Sequence, residues 1–132
     1  MEVIDKLGWI YIKDKKILCA RSKKKDVFYI PGGKRERGED DKEALIREIK
    51  EELGINLVPE SLNLVNGFEG PAHGRPEDVI LKMTCYSGDF KGEISPDSEV
   101  EEVTWLTYKD KDKTTPMGRI IFNWLKDRSL ID

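Results

Sequence analysis

The chain has 132 residues, enough for one domain with a buried core and no covalent staples. Its formal net charge is −3 although 37% of its residues are charged, which excludes a general nucleic-acid binder needing a basic surplus. The stretch MEVIDKLGWIYIKDKK is too broken by charge for a signal segment, and no apolar run approaches a membrane span. A cytoplasmic location without a membrane partner is therefore expected.

In chain order, Val3 to Ile12 alternates loosely and is rich in branched and aromatic residues, which predicts a strand. Lys13–Lys16 suits a hairpin turn into a second strand, Ile17–Arg21. A polar turn, Ser22–Asp26, then leads to a short strand over Val27–Ile30, ended by Pro31-Gly32-Gly33. A helix is predicted from Asp41 to Leu53, with Asp40 and Asp41 offering N-cap chemistry and Gly54 the stop. On it Leu45, Ile46, Ile49 and Leu53 share an arc of about 100°. Leu62–Phe68 and Val79–Tyr86 read as strands separated by the loop EGPAHGRPED. Val100–Leu106 is a further strand with Trp105 placed in the core. Pro116 opens a last helix to Asp127, whose buried stripe is Met117, Ile120, Ile121, Trp124 and Leu125. Strands, helix, strands, helix predicts an α+β sandwich with a mixed sheet, as one domain over residues 1–132. Cys19 and Cys85 stand far apart in apolar stretches, so two reduced, core-facing thiols are expected.

The run Gly33–Ile55, GKRERGEDDKEALIREIKEELGI, carries the chemistry. Glu48, Glu51 and Glu52 lie three and four residues apart, so they project along one flank of the helix, beside the apolar arc. Carboxylates held on a rigid helix can bind hard divalent cations, and such cations activate water against phosphate esters. The turn at Gly32-Gly33 lets backbone approach a ligand closely, because no side chain intervenes. Arg47 can pair with Glu43 and Glu51 at four-residue spacing and so fix the acidic stripe. Taken singly, each glutamate reads as an ordinary solvated helix residue; the combined spacing reverses that reading.

These residues resemble the Nudix box: glycine, five residues, glutamate, seven residues, then R-E-apolar-x-E-E-x-G-apolar. Gly33, Glu39, Arg47, Glu48, Ile49, Glu51, Glu52, Gly54 and Ile55 match every fixed position. The lead-in FYIPGGK (Phe28–Lys34) and the segment EVEEVTWL (Glu99–Leu106) also look like what that family places around its box. The resemblance implies a Nudix-type α/β/α sandwich with two main helices. It implies hydrolysis of a diphosphate linked to a moiety X, with Mg²⁺ or Mn²⁺ as cofactor and a small phosphorylated substrate, a nucleotide, as partner. A stable nucleic-acid partner is not implied, and either a monomer or a homodimer is compatible.

Carried over residue by residue, the resemblance makes Glu48, Glu51 and Glu52 metal ligands and Arg47 the group that orients them. Glu39 becomes a support of the box loop or an outer ligand, and the Gly33 carbonyl a further ligand. A glutamate outside the box completes the site or acts as base. Glu99, Glu101 and Glu102 compete for that place, and Glu102 is the candidate because it lies closest to Trp105. Glu52 or this external glutamate would take the proton from water.

Arg21 resembles a substrate-contacting arginine of some relatives. Lys34, beside Arg35 and Arg37, is a candidate phosphate contact. Phe28 and Tyr29 straddle a strand, so one of them faces the substrate, and Phe28 is the candidate. His73, the single histidine, lies in a loop and is a candidate for proton transfer or substrate contact. Pro71, sixteen residues beyond Ile55, resembles a proline of ADP-ribose-cleaving relatives. The asparagine that MutT-like enzymes carry near the entry to the last helix is replaced by Thr114-Thr115-Pro116. A nucleoside di- or triphosphate, ADP-ribose or a nucleotide sugar is the substrate class implied. Two alternatives come from other classes. A catalytically silent nucleotide-binding module would be expected to lose box glutamates, and an isoprenoid diphosphate isomerase would need a cysteine in a matching context.

Overall fold

The computed structural model describes residues 2–132. Strand β1 (Glu2–Trp9) is followed by a tight hairpin, β2 (Ile12–Lys13) and β3 (Lys16–Ser22). Asp14 and Lys15, at φ 54° and 60°, form the two-residue turn whose twist suits paired strands. The two-residue β4 (Gly32–Gly33) leads into α1 (Asp41–Leu53). Then come β5 (Asn56–Leu57), β6 (Asn63–Pro71), β7 (Val79–Ser87), β8 (Phe90–Lys91), β9 (Val100–Leu106) and α2 (Pro116–Asp127).

The main sheet has the order β4-β1-β7-β6, with β1 parallel to β7 and the other neighbours antiparallel. A second sheet runs β2-β3-β9, and β5 pairs with β8. Two apolar clusters show how the layers stack. Leu7 and Trp9 of β1 pack with Leu45, Ile49 and Leu53 of α1. Phe68 of β6 and Met83 and Cys85 of β7 pack with Met117, Ile121, Phe122 and Leu125 of α2. The mixed sheet thus lies between two helices, the α+β sandwich that the order of elements predicts. Gly70 lets α2 come close to β6, since a Cβ there would meet Ile120 Cδ1 at 2.5 Å.

Helix α1 starts and stops for local reasons. The Asp40 carboxylate accepts from the Glu43 amide at 2.8 Å, and Glu43 returns the bond to the Asp40 amide at 3.0 Å. Gly54 closes the helix in the left-handed conformation at φ 70°. Because Glu43 is occupied in the cap, the Arg47–Glu43 pair expected from spacing does not form. Helix α2 is capped by Thr115, whose hydroxyl accepts from the Gly118 amide at 3.1 Å, with Pro116 in its first turn as predicted.

Other elements depart from the sequence reading. β1 ends at Trp9, because the Ile10 amide bonds the Tyr86 carbonyl and the Tyr11 carbonyl accepts from Leu18; the chain is there crossing between sheets. Val27–Ile30 is not a strand but holds two isolated bridges, Ala20 with Tyr29 and Phe28 with Thr114. β6 continues to Pro71, taking three residues from the predicted loop. Trp105 is 38% exposed and rests on Tyr11 at 5.4 Å between ring centroids, outside the core that the sequence assigned to it. Cys19 and Cys85 are free and buried, as expected, and burial pushes the Cys85 thiol up to about 12. No helix among the described residues is long and apolar enough to cross a membrane.

Ile121 is fully buried where α2 meets the sheet. Ile121→Ala should cost about 2–5 kcal/mol through lost transfer energy and the cavity left behind. Urea denaturation would check this, and an unchanged midpoint would contradict the packing described.

Candidate functional site

The site begins with two glycines. At Gly32, with φ 152°, a Cβ would overlap the Leu7 carbonyl, so only glycine lets β4 pair with β1 here. At Gly33 a Cβ would overlap the Glu48 carboxylate. The missing side chain is what allows α1 to place Glu48 against the β4 backbone. Both glycines, Glu48 and Glu52 open onto a cleft of about 560 Å³. The sheet face opposite α1 forms its floor, and the first turn of α2 and loop residues 72–75 form its walls.

Glu52 is 5% exposed, and its Oε1 has no hydrogen-bond partner. A buried carboxylate oxygen without a partner is costly in its charged form. Burial is the first cause that raises its pKa to about 8, and the charge of Glu48 is the second. The Gly32 amide works in the opposite direction, and Glu99 adds to the rise. Glu99 lines the cleft from the segment before β9, where its carbonyl accepts from the Lys23 amide at 2.9 Å. Tyr29 lies between these acids. Its backbone is tied to Ala20 by two bonds of 2.8 and 2.9 Å, and Ser22 Oγ donates to its hydroxyl at 3.2 Å. Burial first, and then the charges of Glu52, Glu99 and Glu48, raise the Tyr29 pKa.

Arg47 sits behind the carboxylates. Its guanidinium reaches Glu39 at 2.8 and 2.9 Å, Glu48 at 2.8 Å, Glu36 at 3.1 Å and Glu51 at 3.4 Å, and it donates to the Lys34 carbonyl at 3.0 Å. This one cation therefore joins the loop after β4 to α1. It also holds the Glu39 carboxyl well below the usual carboxylate range, chiefly through its hydrogen bonds.

The structure brings together some of the residues singled out by sequence. Gly33, Lys34, Glu48, Glu52 and His73 all line the cleft. Glu51 does not; its side chain is 55% exposed on the flank beside Arg47. Arg21 and Glu102 are register partners across β3 and β9 and pair with each other at 2.9 Å, away from the cleft. Of the three external glutamates it is Glu99 that lines the cleft. Phe28 packs against the core cluster of α2, while its neighbour Tyr29 takes the cleft wall. Pro71 ends β6, and the next residue, Ala72, reaches the cleft. Sequence reasoning missed Lys6, Met83 and Thr115, which also line it. β1 offers no clean alternation in its first half, so its cleft-facing side could not be told in advance.

Among the described residues, no three His, Cys, Asp or Glu side chains converge as a ready-made metal cluster. Glu48 and Glu52 supply the hard oxygen donors instead, and the unpartnered Glu52 Oε1 is the atom that a divalent cation would satisfy. On chemistry and burial, the donor set fits Mg²⁺ or Mn²⁺.

A family model described as the NUDIX domain matches residues 7–125. The ADP-ribose pyrophosphatase of Methanocaldococcus jannaschii is 32% identical over 97 residues, which cover 71% of this chain and 56% of the relative. The RNA pyrophosphohydrolase of a Nitratiruptor species is 30% identical over 89 residues, covering 64% of this chain and 55% of the relative. The chain thus spans little more than half the length of these relatives. Among solved structures, the MutT NUDIX hydrolase from Burkholderia pseudomallei superimposes with a TM-score of 0.76 at 24% identity, covering 93% of this chain and 98% of that one.

Proposed function

The chain belongs to the NUDIX family, and from that premise we propose that it is a metal-dependent hydrolase of a nucleoside diphosphate linked to a moiety X. One observation carries the reading: the buried, unpartnered Glu52 Oε1 beside Glu48, at the glycine-lined end of a cleft large enough for a nucleotide. Glu48 and Glu52 would hold the cation, with Glu99 across the cleft and the Gly33 carbonyl beside them. Bound there, Mg²⁺ or Mn²⁺ supplies positive charge to the diphosphate oxygens and makes water a better nucleophile. Arg47 fixes the carboxylates, and Glu51 stands behind them as a further ligand candidate. Glu39 braces Arg47.

Lys34 follows Gly33 directly and suits the phosphate that leaves. Tyr29 can donate its hydroxyl proton to a phosphate oxygen while accepting from Ser22. Water attacks one phosphorus, the P–O–P bridge breaks, and two products leave, one carrying the nucleoside phosphate and the other the phosphate of X. The proton passes to a carboxylate, and Glu52 and Glu99, which both line the cleft, are the candidates to accept it. His73 lies on the wall where X would leave the cleft. A cytoplasmic location agrees with the two free, buried cysteines.

The test is product release from nucleoside triphosphates, ADP-ribose, nucleotide sugars and dinucleoside polyphosphates. Turnover should appear with Mg²⁺ or Mn²⁺, fall to background in EDTA, and return when metal is added back. Metal binding without turnover of any compound would favour a silent nucleotide-binding module.

A further inference from the structure

We propose that the cleft selects substrates whose nucleobase carries a keto oxygen where others carry an amino group, and that Lys6 reads it; this rests on the hydrolase reading above. β1 and β7 pair in parallel, with Ile4 opposite Leu81 and Lys6 opposite Met83, so these four side chains share one sheet face. All four line the cleft. Met117 of α2 lines the same space. Gly8 keeps the floor flat beside them, since a Cβ there would come within 2.6 Å of the Met83 methyl.

This floor is apolar except for one ammonium. Lys6 is half-buried and makes no ion pair with any described residue. Lys6 adjoins Leu7, the register partner of Gly33, and so stands one strand away from Lys34, on the sheet floor and not on the loop. Arg75 is paired with Glu2 at 3.0 Å, and Lys34 adjoins Gly33 at the carboxylate end. Lys25 lies in the loop after β3, where its carbonyl accepts from Arg21 at 2.7 Å. A cation held by Glu48 and Glu52 would draw the diphosphate to that end, which leaves the apolar floor for a flat ring. An ammonium has three donors and no acceptor. It complements a keto oxygen on the ring edge, whereas an amino group at the same place sets donor against donor and leaves only a neighbouring ring nitrogen to accept from the cation.

Inosine and adenosine compounds carry this difference, keto against amino at one ring carbon, together with a proton on the adjoining ring nitrogen in inosine that adenosine lacks. The experiment compares kcat/KM for ITP against ATP, and for IDP-ribose against ADP-ribose, in wild type, Lys6→Met and Lys6→Arg. Wild type should favour the inosine member of a pair by about tenfold or more. Lys6→Met should bring the ratio close to one with Tm unchanged, and Lys6→Arg should restore part of the preference. A wild-type ratio near one overturns the inference and leaves the hydrolase reading standing, and this comparison needs no variant to fold. An equal loss on both members in Lys6→Met also overturns it, since that would mark a phosphate contact. Absence of turnover on these four compounds overturns the inference, and absence on the wider panel above overturns the hydrolase reading with it.

Discussion

Glu52→Gln should lower turnover by about a thousandfold or more and, in the same protein, raise the stability of the metal-free state above neutral pH. The two effects share one cause. Glu52 is buried with an unpartnered oxygen beside Glu48, so its charged form is useful to a cation and costly without one. Its pKa rises from an ordinary 4.5 to about 8 in the folded protein. Between those values the folded state keeps a proton that the unfolded state has lost. Stability of the metal-free protein therefore falls as pH rises through this window and levels off above it. Glutamine carries no charge and should remove the slope, a gain of roughly 2–4 kcal/mol at about pH 9. Urea denaturation in EDTA at acid and alkaline pH, beside single-turnover assays, would check both halves. A variant that keeps its activity, or loses stability at high pH, would remove Glu52 from the centre of the site. Because the cation displaces that proton, metal affinity should also strengthen as pH rises toward 8.

A second large effect is expected at Arg47, which does not line the cleft. Arg47→Met removes the one cation that ties Glu39, Glu48, Glu51 and Glu36 together. The acids would then repel one another, and the loop carrying Lys34 would lose its anchor to α1. A fall in kcat of about 10–100-fold is expected, the usual cost of losing a group that orients metal ligands. Tm should drop by a few degrees at neutral pH. The Glu39 carboxyl is held low by Arg47, so the stability it contributes is present above about pH 4.5 and is lost as pH falls through its depressed value. The variant should therefore show a flatter acid limb than wild type. Arg47→Lys should rescue little, because a single ammonium cannot reproduce a guanidinium fork bonded to several acceptors. Wild-type kcat in Arg47→Met would mean that the carboxylates keep their places without it.

Legibility followed the range of the interaction. The caps of α1, its apolar stripe and the flank carrying Glu48 and Glu52 were readable because helix geometry relates residues only three or four apart. Even there a local rule failed at Arg47. Four-residue spacing allowed Glu43 as its partner, but the capping box had already engaged that carboxylate. Trp105 failed differently: it shares a sheet face with Leu18, its buried register partner, but the ring stands at the margin of that core against Tyr11, where no layer covers it fully.

The sequence by itself determined the family, the glutamate-bearing helix and the order of elements, since each is written in short, fixed spacings. Only the tertiary structure decided what meets in the cleft. It chose Glu99 while Glu102 was paired with Arg21, turned Tyr29 outward and Phe28 inward, and set Lys6 beside Met83. Those outcomes depend on strand register and on which side of the sheet each helix covers. Register joins residues as distant as Lys6 and Met83, and a shift of one residue would send every one of these side chains to the opposite face.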